Sequence, residues 1–145
     1  MKHAYGVGLV LLLAFGLASK PAAAQATPPN GSRVQLKQNY PNPFNPETRI
    51  PFTLGDALFK NGGSVKVTLK IYDQLHRYVA TPIALNHPRG NAAVLDQLEY
   101  AAAGDFEAFW DGYDRFHKKV ASGLYFARLE VNGERSQPIR LVVAN

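Results

Sequence analysis

The stretch Leu124-Tyr125-Phe126-Ala127-Arg128-Leu129-Glu130-Val131-Asn132-Gly133-Glu134-Arg135-Ser136-Gln137-Pro138-Ile139-Arg140-Leu141-Val142-Val143 reads as two strands joined by a tight turn. Tyr125, Ala127, Leu129 and Val131 share one face of the first strand. In the second, predicted over 136–143, Ile139, Leu141 and Val143 alternate with Arg140 and Val142. That period of two is what a strand with one buried face requires. Asn132-Gly133 between them is the dipeptide that most readily takes the positive φ values of a two-residue hairpin.

Working back from this hairpin, the same period recurs. Over 64–72, Val65, Val67, Leu69 and Ile71 face one way and Lys66, Thr68, Lys70 and Tyr72 the other, after an Asn61-Gly62-Gly63 turn. Asp73-Gln74-Leu75-His76 turns into a further strand over 77–83, and Gly104–Trp110 places Phe106, Ala108 and Trp110 on one face before Asp111-Gly112-Tyr113-Asp114. Between them, Val94, Leu95, Leu98, Ala101 and Ala102 fall at helical spacing, which predicts a loop carrying a short helix near residues 92–102. About seven short strands separated by turn residues predict an all-β, immunoglobulin-like antiparallel β-sandwich.

Upstream, Leu36–Leu54 contains Pro41, Pro43 and Pro46 within six residues. Each fixes φ near −65° and drives its predecessor out of the helical region, so helix is excluded there. Asn42 and Asn45 are suited to local Asx turns, and Tyr40 and Phe44 supply rings that can pin a stiff turn to a core. Ile50, Phe52 and Leu54 then alternate with Arg49, Pro51 and Thr53. Pro51 has no amide hydrogen, which predicts an edge strand or a donor position facing solvent.

The N-terminus has the layout of a targeting segment. Lys2 and His3 precede the uncharged run Ala4–Ala18, which is too short for a membrane span and suits a signal-peptide core. Small residues follow, so residues 1–24 are expected to be a signal peptide, cleaved after Ala24 or Ala26, with a linker over 25–35 and one domain over 36–145. The 145-residue chain has 46% hydrophobic residues, enough for one core, and no cysteine, which excludes disulfides and thiol chemistry. Its net charge of +5 includes Lys2 and Lys20, so the expected mature chain carries +3. The remaining basic residues are scattered, which argues against nucleic-acid binding.

Asp111 and Asp114, with Asp105 and Glu107 nearby, are readable as a carboxylate pair or as cation ligands, but Asp-Gly turn chemistry accounts for them. His76, His87 and His117 stand in turns at no metal-ligand spacing and are expected at the surface, and Ser122 lacks the flanks of a nucleophile elbow. No catalytic residue, metal or cofactor is expected. Trp110 is expected in the core, and Tyr113, Phe116 and Phe126 are the aromatics whose exposure would mark a partner surface.

The block Asn39-Tyr40-Pro41-Asn42-Pro43-Phe44-Asn45-Pro46-Glu47-Thr48-Arg49-Ile50-Pro51-Phe52 resembles the opening of the type IX secretion system C-terminal sorting domain, subtype A. Val67–Asp73, Trp110–Asp114 and Val120–Leu129 follow in the family's order, and the pattern is also similar to the immunoglobulin-like domain of the flagellar hook-capping protein. His76 and His117 stand where the family has turn glycines. The resemblance implies an exported, non-catalytic module recognised by outer-membrane secretion machinery and ending secreted or on the cell surface. No stable membrane span is expected after signal cleavage. The expected recognition residues are Tyr40, Pro41, Asn42, Pro43, Phe44, Asn45 and Pro46, with Ile139, Arg140, Leu141, Val142 and Val143, the last strand being open to strand addition. The alternative is a free-standing extracellular structural or adhesive module, for which self-association is expected.

Overall fold

The computed structural model describes residues 33–90 and 92–145. The expected signal peptide, its cleavage site and most of the expected linker lie outside them. The strands are β1 (Val34–Leu36), β2 (Thr48–Leu54), β3 (Val65–Asp73), β4 (Tyr78–Ala80), β5 (Ile83–Leu85), β6 (Ala93–Val94), β7 (Leu98–Tyr100), β8 (Gly104–Trp110), β9 (Gly123–Val131), β10 (Glu134–Arg135) and β11 (Ile139–Val143). A single 3₁₀ turn, Asp56–Leu58, is the only helical element among the described residues.

The strands form two antiparallel sheets. One runs β1-β2-β8-β5-β6; in the other β9 and β3 are central, flanked by β10 and β11 on the β9 side and by β4 and β7 on the β3 side. The alternating residues anticipated above meet between the sheets. Ile50, Phe52 and Leu54 of β2, Val65, Val67, Leu69 and Ile71 of β3, and Ala127, Leu129 and Val131 of β9 are all buried. Each fully buried aliphatic or aromatic side chain contributes roughly 1.5–3 kcal/mol relative to exposure. Trp110 is buried at one end of this core, as its position on β8 implied.

Asn132 and Gly133 both have positive φ (48° and 87°), as the hairpin requires. The second strand, however, is split. The Ser136 backbone N–H bonds to the Leu129 carbonyl at 2.8 Å, and its hydroxyl accepts the Leu129 N–H at 3.1 Å, so a side chain replaces a rung of the ladder between β10 and β11. Strand β2 lies inside its sheet, between β1 and β8. Pro51 fits there because β1 ends at Leu36, opposite Phe52. Just beyond, Pro51 accepts a bond from the Lys37 N–H at 2.9 Å and is asked for none in return.

The short helix expected near residues 92–102 is not formed. That segment supplies β6 and β7, and Gln97 between them has φ 53°, outside any right-handed helix. The edge of β3 decides the outcome. β7 pairs with Val65–Val67, the Leu69 N–H donates to the Leu95 carbonyl at 2.9 Å, and the Leu95 N–H donates to Pro82 O at 3.0 Å. Satisfying these backbone groups, with Leu95, Leu98 and Tyr100 buried, outweighs a helix too short to be stable alone. β1 also begins inside the stretch expected as linker.

Candidate functional site

The proline-rich turn and the last strand, far apart in sequence, form one unit. Tyr40 and Arg49 exchange backbone bonds at 2.9 Å each way, closing the loop between them. Asn39, buried, holds the loop from below: its Nδ2 donates to Pro41 O (3.1 Å) and to Thr48 Oγ1 (3.0 Å). The Thr48 hydroxyl also donates to Pro41 O (3.0 Å), and Asn39 Oδ1 accepts from Gln38 Nε2 at 2.6 Å. The Tyr40-Pro41, Asn42-Pro43 and Asn45-Pro46 peptide bonds are cis.

From this platform the Phe44 side chain enters the core, its ring 5.4 Å from that of Trp110. Its backbone runs beside β11: the Phe44 N–H donates to Val142 O (2.9 Å) and the Ala144 N–H to Phe44 O (3.0 Å). Asn42 Oδ1 accepts the Val142 N–H (2.9 Å), and Gln38 Nε2 donates to Arg140 O (2.7 Å). Asn42 therefore bonds across the molecule where a local Asx turn was expected. β9 pairs with the opposite edge of β11. The last strand is thus held on both sides, and its outer-edge groups from the Arg140 carbonyl to the Ala144 N–H, which strand addition would use, are occupied. Asn145 is fastened as well, its N–H to Ser122 Oγ (3.0 Å) and its Nδ2 to Val120 O (2.7 Å).

Beneath the clasp, Gly112 (φ +76°) passes so close that a Cβ there would collide with the Pro46 carbonyl oxygen. Trp110 Nε1 donates to Tyr113 O (2.9 Å), which closes the same end of the sandwich. The expected recognition residues divide in two. Phe44, Leu141 and Val143 are buried anchors, and Ile139 and Val142 are half-buried. Tyr40, Pro41, Asn42, Pro43, Asn45, Pro46 and Arg140 are exposed. Tyr40 donates its hydroxyl to Glu107, which also pairs with Arg49 Nη1 at 3.2 Å; that bond to a carboxylate raises the Tyr40 pKa. The sequence pattern does not mark Asn39, Gln38, Thr48 or Gly112 as site residues. An asparagine directly before the X-Pro run was the one available signal.

The carboxylates considered for catalysis are separately engaged. Asp105 bonds Thr53 Oγ1 and Lys37 Nζ, which lower its pKa in that order, and Glu107 serves Tyr40 and Arg49. Asp111 and Asp114 border a groove of ≈ 350 Å³ with Tyr113 and His117. Asp111 accepts the Tyr113 N–H. Asp114 is held below the ordinary carboxylate range by the Lys118 backbone N–H first and by that of Phe116, the opposite of what a proton donor needs. Among the described residues no group of three or more His, Asp or Glu side chains is gathered to hold a metal.

Asp114 has a twin. Asp73 Oδ1 accepts the N–H groups of Leu75 and Arg77 (2.9 Å each), as Asp114 Oδ1 accepts those of Phe116 (2.8 Å) and Lys118 (2.9 Å). The fourth residue of each turn, His76 or His117, has left-handed φ (58° and 59°), which explains why glycine suits these positions. Both rings are exposed, but His87, also expected at the surface, is buried. Its Nδ1 accepts the Arg89 N–H (3.1 Å), leaving Nε2–H to donate to Glu99 O (2.8 Å). Of the aromatics, Phe116 and Tyr113 are exposed and Phe126 is half-buried.

No protein-family model matches the chain. No curated protein matches it. Among solved structures it is similar to dimeric latent PorU from Porphyromonas gingivalis (19% identity, TM-score 0.54), over 77% of this chain and 9% of that one. It is also similar to the Pseudomonas fluorescens alkylpurine DNA glycosylase AlkC bound to DNA containing an abasic site analog (16% identity, TM-score 0.47), over 79% of this chain and 31% of that one. The chain thus spans a small part of either protein. No helix among the described residues is long and apolar enough to cross a membrane. The likeness to PorU, at its level of identity, is one of fold, and the fold is an antiparallel β-sandwich.

Proposed function

We propose that this chain is an exported, non-catalytic sandwich of the type IX sorting kind, recognised at the outer membrane through its folded surface and passed to surface display or release. The resemblance of Asn39–Phe52 to the sorting domain motivates the reading. The observation that supports it most is the clasp, which joins the proline turn to the final strand in one continuous face. Because the outer edge of β11 is filled by Gln38, Asn42 and Phe44, a partner reads exposed side chains such as Tyr40, Pro43 and Arg140 and adds no strand there.

Fusing 33–145, which includes β1, behind a periplasmic reporter in a type IX host tests this. The reporter is expected at the cell surface or in the medium, and at reduced levels with Tyr40→Ala and Arg140→Ala, which leave the buried anchors in place. Retention of the unmodified fusion in the periplasm overturns the reading.

The fastening of Asn145 favours a second reading, a free-standing extracellular module that keeps its tail. Intact mass spectrometry of the exported protein separates them. A chain still ending at Asn145 and self-associating in sedimentation supports the structural module.

A further inference from the structure

The twin turns place two large apolar side chains in solvent. Leu75 and Phe116 occupy the same position in Asp73-Gln74-Leu75-His76-Arg77 and Asp114-Arg115-Phe116-His117-Lys118, and are 72% and 66% exposed, the two most exposed large hydrophobic residues described. They are not isolated from each other. The Arg115 N–H donates to Val79 O at 2.8 Å, joining the second turn to the strand that follows the first, and both turns border one groove of ≈ 460 Å³.

Around these tips four cations outnumber two carboxylates. Arg77, Arg115, Lys118 and Lys119 line the groove. Its two acids, Asp73 and Asp114, direct their carboxylates into the turns, onto backbone N–H groups. Asp73 also takes Arg77 as an ion partner at 2.8 Å, whereas Arg115, Lys118 and Lys119 make no ion pair among the described residues. Arg115 instead lies over the Tyr78 and Phe116 rings. Apolar tips beside a groove with an excess of cations match a layered partner, apolar within and anionic at its surface. An acidic protein surface would match the cations and leave both tips in water.

We propose that this face docks on an anionic lipid bilayer, with Leu75 and Phe116 entering the interface and Arg115, Lys118 and Lys119 against the headgroups. It lies apart from the clasp reading and does not depend on it. The rigid turns allow this without folding cost, because each tip is already held by its aspartate and by a left-handed histidine.

The full chain has no cysteine, so Leu75→Cys, Phe116→Cys and, as a control on the far end of β3, Asn61→Cys each create a single site for an environment-sensitive dye. Vesicles of phosphatidylcholine mixed with phosphatidylglycerol are compared with phosphatidylcholine alone. The dyes at 75 and 116 are expected to shift to the blue and to be quenched by acyl-chain spin labels on the mixed vesicles, with the dye at 61 unchanged. Lys118→Ser with Lys119→Ser should weaken binding about tenfold or more, and added salt should weaken it further. The proposal is overturned if dyes at 75 and 116 stay in water while the chain is vesicle-bound, which would mean that another segment anchors it. Equal binding to neutral vesicles, no binding, or a blue shift without vesicles, the sign of a second copy on the face, overturns it too.

Discussion

His117 holds φ 59° at the fourth position of its turn, a conformation in which a β-carbon costs on the order of 1 kcal/mol and glycine costs none. His117→Gly is therefore expected to raise stability by up to about 0.5 kcal/mol, the conformational relief exceeding the added freedom of the unfolded chain. The urea midpoint checks it; a lower midpoint would show that the imidazole contributes more than its backbone costs. His76 is the poorer test, because its ring stacks on Phe126 at 6.3 Å. The turn itself was legible from Asp, the spacing and the resemblance. The fate of His87 was not, since its Nε2 partner, the Glu99 carbonyl, is twelve positions away and comes within reach only when β7 docks on β3.

At the scale of elements, the clasp stands on few bonds, and Asn42 makes the one that reaches the Val142 amide. Asn42→Ala should cost about 1 kcal/mol. It should also speed hydrogen exchange at Val142 more than at Leu141, whose alternate backbone groups face β9. Equal protection at both positions before and after the change would show that the clasp does not hold the strand. The strands β2, β3, β8 and β9 were readable because their period of two is long enough to exclude a helix. Residues 92–102 were not, because Leu95 and Leu98 fit either period and the deciding factor, the unfilled edge of β3, belongs to another part of the chain. Asn42 shows the same thing in miniature: its side chain suits a local turn, but a strand a hundred residues later offers an N–H in better position.

For the whole molecule, acid is the informative stress. Asp73 and Asp114 have folded pKa values below the ordinary 3.8, chiefly because the backbone N–H groups of Arg77 and Lys118 donate to the charged carboxylates. A lowered folded pKa means that the unfolded chain binds protons first. The stabilisation is present above 3.8 and is lost as pH falls below that value through the folded ones. Asp73→Asn with Asp114→Asn keeps an acceptor oxygen at each turn and removes the titration. Its Tm is expected to fall less steeply than that of the unmodified chain below 3.8, by calorimetry across that range; parallel curves would remove these turns as the acid-sensitive points. By itself the sequence determined the class of fold, the main strands, the hairpin at Asn132-Gly133 and the core position of Trp110. All of these follow from local backbone preference and from which face of a strand is apolar. Only the tertiary structure decided that the proline turn closes over the last strand, that residues 92–102 become strand, and that two distant turns border one groove rich in basic residues. Each of those depends on backbone groups and charges that meet only after the two sheets have packed, and no local pattern encodes which distant edge is left unfilled.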